Sequence, residues 1–209
     1  MSRYTGPVCR LCKAEGVKLF LKGDRCFTEK CAITRGETKN KQRRGRPRAK
    51  MSEYGLRLRE KQKLRRFYGM NEGQFRRMFG EASRMSGVTG HNFLQLLERR
   101  LDNIVYRMGL ATSRSQARQL VLHGHFTVDG RKVDVPSYLI RAGAVVAVAE
   151  NSKEVAIIRE NAEVAASRMI PEWLEVNSER MEAKVLSIPV REQIDVPVNE
   201  QLVVEFYAR

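Results

Sequence analysis

Four cysteines are the first residues of the chain that are able to do chemistry, and all lie within its first 31 residues. Cys9 and Cys12 form a C-x2-C pair, and Cys26 and Cys31 form a C-x4-C pair after thirteen intervening residues. Two close pairs of thiols suit tetrahedral ligation of one zinc ion, although an iron–sulfur cluster uses the same ligands. Four protein ligands leave no position for a catalytic water, so the spacing predicts a structural metal knuckle.

A second candidate group lies in TSRSQARQLVLHGHFTV, residues 112–128, and in the basic residues that follow it. Arginines four residues apart share one face of a helix, where they can hold an anion. The two histidines would need an orienting partner and a nucleophile to be catalytic, and no nucleophile motif or phosphate-binding glycine loop is present, so no enzyme is expected. The candidate anion-binding residues are Arg114, Ser115, Arg118, Gln119, His123, His125, Arg131 and Lys132.

The charge of the chain indicates what kind of anion these residues meet. The net charge is +15, and it is uneven: residues 1–149 hold 32 Lys and Arg against 12 Asp and Glu, whereas residues 150–209 hold 7 against 12. Such an excess favours a polyanion as partner, with the acidic last quarter left for solvent or protein neighbours. No apolar run is long enough to span a membrane and no secretory signal is recognisable, so we expect a cytoplasmic protein without a membrane partner or a small-molecule substrate.

The middle of the chain carries a further basic tract. Residues 32–50 are polar and lack an apolar period, which predicts an extended loop that becomes ordered on RNA phosphates. Residues 52–68 predict a helix whose basic side chains lie on a face separate from its apolar stripe. The predicted RNA-binding residues of this tract are Arg43, Arg44, Arg46, Arg48, Lys50, Arg57, Lys61, Lys63, Arg65 and Arg66.

Local signals position these groups on helices and strands. An apolar stripe from Phe93 to Met108 predicts a core helix, and Asp129-Gly130 predicts a two-residue hairpin turn. A second strand pair is expected to turn at Ala142-Gly143, with a helix over 154–168 and a last strand in 184–190. The predicted helix starts and ends are Ser52, Asn71, Thr89, Ser113, Gly124 and Asn199.

The segment RRLDNIVYRMGLATSRSQARQLVLHGHFTVDGRKVDVPSY resembles the RNA-binding module named after ribosomal protein S-four, which also occurs in RNA-modifying enzymes and synthetases. GPVCRLCKAEGVKLFLKG, EYGLRLREKQKLRRFYG and PVNEQLVVEFYAR are similar to the bacterial small-subunit ribosomal protein S-four family itself. The four cysteines match the metal-binding subset of that family. One departure is GETKNKQRRGRPRAK, which replaces a Pro-Pro-Gly-Gln-His-Gly stretch of many members, so contacts made there do not carry over.

The resemblance implies a structural protein that binds small-subunit (16S) ribosomal RNA early in assembly, at a helix junction of the 5′ domain. It also implies contact with ribosomal protein S-five, a place beside the entrance for messenger RNA and an influence on decoding accuracy. The expected fold is α+β: a mainly helical lobe with an N-terminal four-cysteine metal knuckle, and a small αβ RNA-binding module with an antiparallel sheet. The expected domains are residues 1–51, residues 52–98 joined by a C-terminal helix over 197–209, and residues 99–196.

Two other classes of protein compete with this interpretation. An RNA-modifying enzyme would need a catalytic domain, and neither side of the module has the length for one. A DNA-binding zinc protein would need a recognition helix beside the cysteines, but residues 13–25 have no helical stripe. A preference for folded RNA over duplex DNA would separate these classes.

Overall fold

A computed structural model describes residues 4–40, 52–165 and 169–208 of the chain. The chain forms two compact units, one of residues 1–90 with 196–209 and the other of residues 91–195. Helices and a five-stranded antiparallel sheet confirm the predicted α+β class. No helix of the described residues is both long and apolar enough to cross a membrane.

The elements follow one another with short connections. In chain order the helices are α1 (Cys9–Glu15), α2 (Ala32–Asn40), α3 (Glu53–Phe67), α4 (Glu72–Ala82), α5 (Thr89–Glu98), α6 (Leu101–Arg107), α7 (Arg114–Leu122), α8 (Ala156–Ala165) and α9 (Glu200–Tyr207). The strands are β1 (Phe126–Val128), β2 (Arg131–Lys132), β3 (Val145–Val148), β4 (Leu174–Asn177) and β5 (Glu182–Val185). Short 3-10 turns occupy Gly23–Cys26, Glu150–Ser152 and Arg191–Gln193.

In the first unit, α9 packs against α3. Leu64 of α3, Phe75 of α4 and Val203 of α9 are completely buried. The predicted helix starts are confirmed, because the Ser52 side chain accepts a hydrogen bond from the Gly55 N–H at 3.2 Å and the Asn199 side chain accepts one from the Gln201 N–H at 3.0 Å. These caps satisfy N–H groups that have no partner within their own helix.

The expectation of an extended loop over all of residues 32–50 is wrong for its first part. Ala32–Asn40 form the helix α2, which packs against α1. Its first turn is continuous with the cysteine segment, because the Arg35 N–H donates to the Cys31 carbonyl at 3.0 Å. The sequence pattern missed this helix because its stability comes from packing on another segment rather than from an apolar period of its own. Residues 41–50 lie outside the described part of the chain.

The second unit is built around the antiparallel sheet, whose strands have the order β2-β1-β3-β5-β4. Phe126 of β1 pairs with Val148 of β3, and Val146 of β3 pairs with Ala183 of β5, so these side chains project from one face. Together with α6, α7 and α8 they form a single buried cluster around Trp173. Burial of this face fixes the register, because a slip of one residue would turn every apolar side chain to solvent.

The predicted helix from Phe93 to Met108 is interrupted, which corrects the sequence interpretation. Arg100 adopts an extended conformation between α5 and α6 and pairs with Leu139 in an isolated β-bridge. The N–H groups of Leu101 and Asp102 donate to the carbonyls of Tyr138 and Pro136, at 2.9 and 3.1 Å. The break is stable because the strand-like segment supplies the acceptors that a continuous helix would otherwise provide.

The later elements agree with the sequence in part. The Asp129-Gly130 turn connects β1 to β2 as predicted, with both residues at positive φ. The strand pair expected around Ala142-Gly143 is wrong in its first half, since residues 138–141 contribute only the isolated bridge while β3 begins at Val145. The helix expected over 154–168 is present as Ala156–Ala165, and 166–168 lie outside the described residues.

We predict that Ile104→Ala lowers the free energy of unfolding of the second unit by roughly 2–5 kcal/mol, because the Ile104 side chain is completely buried in the central cluster. Urea unfolding followed by the emission of Trp173, the only tryptophan, measures this. Ile157→Ala is the matched control, since Ile157 is 43% exposed on α8 and should change stability by less than about 1 kcal/mol. Equal effects of the two substitutions would contradict the packing described.

Candidate nucleic-acid interface

Helix α7 and the β1–β2 hairpin hold the candidate residues of the second unit. The Ser113 side chain caps α7 by accepting a hydrogen bond from the Gln116 N–H at 3.3 Å. Ala117 and Val121 face the core and are completely buried. The helix ends before Gly124, which adopts φ +74°, a conformation that suits glycine after a helix. The sequence therefore predicted correctly both ends of this helix and its inner face.

Arg114 and Arg118 do not have the exposed position that the sequence pattern suggested. Both are buried, at 8% and 6% exposure. The Arg118 guanidinium pairs with Asp102 at 3.2 Å, while Arg114 donates to Asn103 Oδ1 at 2.8 Å and lies 4.4 Å from the centre of the Tyr106 ring. The expectation of an exposed arginine face on α7 is therefore wrong, because these arginines have partners inside the unit. Their contribution to RNA binding stays a prediction.

Two buried carboxylates organise this set of arginines. Asp102 accepts two hydrogen bonds from Arg100, at 3.0 and 2.6 Å, in addition to the bond from Arg118. Arg100 is only 1% exposed, so its charge needs a partner within the protein. Asp102 lies at the start of α6, where the helix dipole also favours a negative charge.

The second carboxylate, Glu98, is completely buried at the end of α5. It accepts hydrogen bonds from Arg107 at 2.8 and 3.1 Å and from Asn103 Nδ2 at 2.7 Å. Because Asn103 Oδ1 also accepts a hydrogen bond from Arg114, the network continues from α5 through α6 to α7. Sequence reasoning missed Glu98, Asp102 and Asn103, although polar residues inside an apolar stripe and beside arginines are a usable signal for a buried polar network.

The exposed polar side of α7 differs from the face that the arginines suggested. Ser115, Gln119 and His123 are all exposed and follow one another at helical spacing. Next to them, Arg131 and Lys132 are exposed on the β2 strand of the hairpin. Among the described residues neither of these two cations has an ion-pair partner. These five residues are called the outer face below.

Gly124 brings the hairpin close to the end of α7. A Cβ atom at this position would overlap the end of the flexible Lys132 side chain, which can move aside, so the glycine is favoured chiefly by its positive φ. The Lys132 side chain therefore passes close to the end of the helix, and its charge acts on His125. The outer face is thus a continuous surface rather than two separate patches.

His125 is half-buried and has a different character from His123. Burial, and then the charges of His123 and Lys132, lower the pKa of His125 from its ordinary value. Its Nδ1 lies 2.9 Å from the Ser152 hydroxyl. The imidazole is therefore neutral near pH 7, so at that pH His125 is a hydrogen-bonding group and not a cationic partner for phosphate.

The basic stripe predicted on α3 also has partners within its own unit. Lys61 is 4% exposed and binds both carboxylate oxygens of Glu72 at 2.8 Å. Arg65 reaches the same carboxylate at 3.3 Å, and Arg57 binds Glu205 of α9 at 2.7 Å. The expectation of an exposed basic face is wrong for Lys61, because α4 and α9 supply acidic groups that the helix alone does not show.

The remaining predicted cations of the basic tract divide into two groups. Lys63 and Arg66 are half-buried and contact Glu60 and Glu15, respectively. Their contacts with RNA stay predictions. The other five predicted residues lie outside the part of the chain that the structure describes; they are Arg43, Arg44, Arg46, Arg48 and Lys50.

Three of the four cysteines are buried, and Cys9 is half-buried. Backbone N–H groups point at their sulfurs: Leu19 donates to Cys12, and Lys22 donates to Cys26 at an N···S distance of 3.4 Å. Such N–H···S bonds stabilise a thiolate and fix its direction. The first pair lies on α1 rather than in the tight knuckle that the sequence predicted, since Cys9–Glu15 is helical.

The thiols also lie close enough to affect one another. Burial raises the pKa of Cys12 and of Cys26, and the neighbouring thiols raise both further. For Cys31, burial acts in the same direction, but N–H groups of Ile33 and Thr34 outweigh it and lower the pKa. Within residues 4–40, 52–165 and 169–208, no three cysteine, histidine or acidic side chains are arranged closely enough to hold a metal ion. Thiols are nevertheless the type of donor that zinc prefers, and the metal itself stays a prediction.

We predict that Asp102→Asn lowers the free energy of unfolding by roughly 3–5 kcal/mol, because it removes the carboxylate that the buried guanidiniums of Arg100 and Arg118 bind. Chemical denaturation of the full chain measures this. Glu154→Gln is the control, since its pair with Arg159 is exposed and its loss should cost less than about 1 kcal/mol. A mild effect of Asp102→Asn, equal to that of the control, would show that the network does not hold the unit together.

Comparison with known proteins finds two domain families in the chain. Residues 3–98 match the ribosomal protein S4/S9 N-terminal domain, and residues 99–146, which include α6, α7 and the hairpin, match the S4 domain. The chain is 58% identical to small ribosomal subunit protein uS4 of Pelotomaculum thermopropionicum and 57% identical to that of Acetivibrio thermocellus. It is 56% identical to the Thermus thermophilus protein of the same name. The first two alignments cover 100% of both chains. The chain therefore belongs to the small ribosomal subunit protein uS4 family.

Proposed function

We propose that this chain is a structural protein of the small ribosomal subunit that binds ribosomal RNA in the cytoplasm and catalyses no reaction. The observation that carries the proposal is the full-length similarity to proteins named uS4, with the S4 domain falling on the α7 and hairpin segment. The net charge of +15 supports it, since a polyanion neutralises such an excess.

The outer face provides direct contacts with RNA. Arg131 and Lys132 neutralise phosphates, and counterion release makes this binding strongly dependent on salt. Ser115, Gln119 and His123 add hydrogen bonds to phosphate or to ribose hydroxyls. Hydrogen-bonding groups of this kind suit a surface that follows the shape of the RNA backbone.

The buried arginines contribute to RNA binding indirectly. Asp102 and Glu98 neutralise them, so the inner charges hold α5, α6 and α7 together and keep the outer face in position. We propose a positioning role for Arg114 and Arg118, and the direct contact with RNA that the resemblance to the family implies for them stays a prediction. The discrimination between RNA shapes then depends on the rigidity of the unit.

The more specific assignments follow from the family resemblance and from the charge map. We propose the 5′-domain helix junction of 16S ribosomal RNA as the binding site, with a role in nucleating assembly of the subunit. The acidic last quarter, with 12 acidic against 7 basic residues, suits a basic protein neighbour, for which we propose ribosomal protein S-five. Through that contact and a place beside the messenger RNA entrance, the chain would influence decoding accuracy.

We also propose one structural zinc ion bound by Cys9, Cys12, Cys26 and Cys31. The burial of three of the thiols and the N–H groups directed at sulfur support this donor set. A bound ion would tie α1 to α2, because the first cysteine pair lies on α1 and Cys31 directly precedes α2. An iron–sulfur cluster is the alternative occupant.

We predict that Arg131→Ala with Lys132→Ala weakens binding to a 5′-domain fragment of 16S ribosomal RNA and makes the plot of log affinity against log salt less steep by roughly 1 to 2 units, because up to two phosphate contacts are lost. Filter binding at several salt concentrations, with duplex DNA as competitor, measures this. The control is Arg159→Ala with Arg180→Ala, which removes two exposed cations paired with Glu154 and Glu182. The proposal would be contradicted if duplex DNA displaced the RNA from the protein. It would also be contradicted if the two double variants showed the same salt dependence of RNA binding.

We predict that the purified chain holds one zinc ion and that Cys12→Ser loses it and lowers the melting temperature. Elemental analysis measures the metal content. Replacement by Co²⁺ should give the absorption bands of a tetrahedral thiolate site. A protein that contains iron would favour the cluster, and a metal-free protein with four titratable thiols would contradict the zinc proposal.

A further inference from the structure

Two aromatic rings next to the cysteines form an exposed stack. The Phe20 and Phe27 rings have centroids 5.1 Å apart and planes 29° from parallel. Phe27 is 72% exposed, whereas Phe20 is half-buried and lies against one side of it. One face of the Phe27 ring is therefore supported by protein and the opposite face is open to solvent. Phe20 and Phe27 are called the aromatic pair below.

The backbone holds this arrangement at a cost. Phe20 adopts φ +51°, a left-handed conformation that is rare for a bulky side chain. It is anchored by Leu19, which is completely buried and whose N–H donates to the sulfur of Cys12. Phe27 follows the 3-10 turn Gly23–Cys26 directly. A strained residue that supports a solvent-exposed phenyl ring adds little to the core, so the conformation favours a function for the pair.

The surroundings of the aromatic pair are basic. Lys18, Lys22, Arg25 and Lys30 all lie within three residues of Phe20 or Phe27 along the chain, and all except the half-buried Lys18 are exposed. They outnumber the two exposed acidic residues of the same stretch, Asp24 and Glu29. Among the described residues, none of these four has a carboxylate partner within ion-pair distance. The Arg25 guanidinium donates to the carbonyl of Lys30 at 3.4 Å, which holds these two residues on one loop. An open ring beside cations without acidic partners is the combination found where proteins bind single-stranded nucleic acid.

We propose that the aromatic pair is a stacking platform for one unpaired base of the ribosomal RNA, with the neighbouring cations contacting the phosphates on either side of that base. The proposal rests on the RNA-binding function and names a contact made by the first unit. The open face of the Phe27 ring would receive the base, and Phe20 would keep the ring from turning away. Stacking of this kind accepts any base, because every base presents a π face.

The charges favour a base over a protein or lipid partner. An apolar groove of a protein would need the cations next to the ring to find carboxylates, and a membrane would need a wider apolar surface than one exposed ring. RNA provides a flat ring and negative charges at the spacing of one nucleotide, so it satisfies both features together.

Replacement of the ring at residue 27 tests the platform. Phe27→Leu keeps an apolar side chain but removes the π face, whereas Phe27→Tyr keeps the ring and is the matched control. We expect Phe27→Leu to bind the 16S 5′-domain fragment roughly tenfold more weakly, since loss of one stacked base costs about that much. Phe27→Tyr should bind like the unmodified chain. The salt dependence of Phe27→Leu should be unchanged, because no phosphate contact is removed.

A fluorescent variant gives a direct readout that does not depend on affinity. The natural Trp173 is 1% exposed, so Phe27→Trp adds an exposed indole whose emission is separable from the buried one. Stacking of a base on this indole should quench its emission when RNA is added, and quenching should persist at salt concentrations where the complex survives. The emission of Phe27→Trp also shows whether a base stacks at residue 27 if Phe27→Leu fails to fold.

The outcomes separate this inference from the proposed function. If the unmodified chain does not bind the RNA, the proposed function itself fails and the platform fails with it. If the unmodified chain binds but Phe27→Leu binds equally well and Phe27→Trp shows no quenching, only the platform is overturned, and the ring would then be free for a protein neighbour. Weaker binding of Phe27→Leu alone, together with quenching of Phe27→Trp, supports the platform.

Discussion

The fold of the second unit depends on neutralising arginines inside the protein. Asp102 binds Arg100 and Arg118, and Glu98 binds Arg107, in positions that exclude most solvent. Buried charges without partners are costly, so each carboxylate makes it possible for helices rich in arginine to pack closely. The extended break at Arg100, which separates α5 from α6, brings these groups together, and the isolated bridge to Leu139 holds the break in place.

This constraint separates the positive charges of the chain by role. Cations with acidic partners stabilise the units. In the second unit the arginines pair with Asp102 and Glu98. In the first unit Glu72 binds Lys61 and Arg65, and Glu205 binds Arg57. Cations without such partners, as at Arg131 and Lys132 of the hairpin, are the ones for which we propose contact with RNA. The same distinction leads to the aromatic pair, where Phe27 is exposed among lysines and arginines without carboxylate partners. The total charge of +15 therefore overstates the number of groups that are available to an RNA phosphate.

The sequence predicted the features that depend on local interactions. Ser113 caps α7, Gly124 ends it and Asp129-Gly130 turns the hairpin, because each requires only the conformation of a few neighbouring residues. The sequence did not predict the features that depend on contacts with a distant segment of the chain. Spacing placed Arg114 and Arg118 together on one helix face but did not reveal that Asn103 and Asp102 come from α6 to meet them. The break at Arg100 needs carbonyls from residues 136–138, and the helix α2 needs α1, so neither was visible in the apolar pattern.

The central claim is that the inner arginines position the module while the outer cations bind RNA. The most direct test is the salt dependence of ribosomal RNA binding by Arg118→Gln, measured beside the unmodified chain where tryptophan emission shows that both are folded. The account predicts the same slope of log affinity against log salt for both proteins, since Arg118 pairs with Asp102 inside the unit. A slope that is less steep by about one unit would contradict it, because Arg118 would then contact the RNA itself.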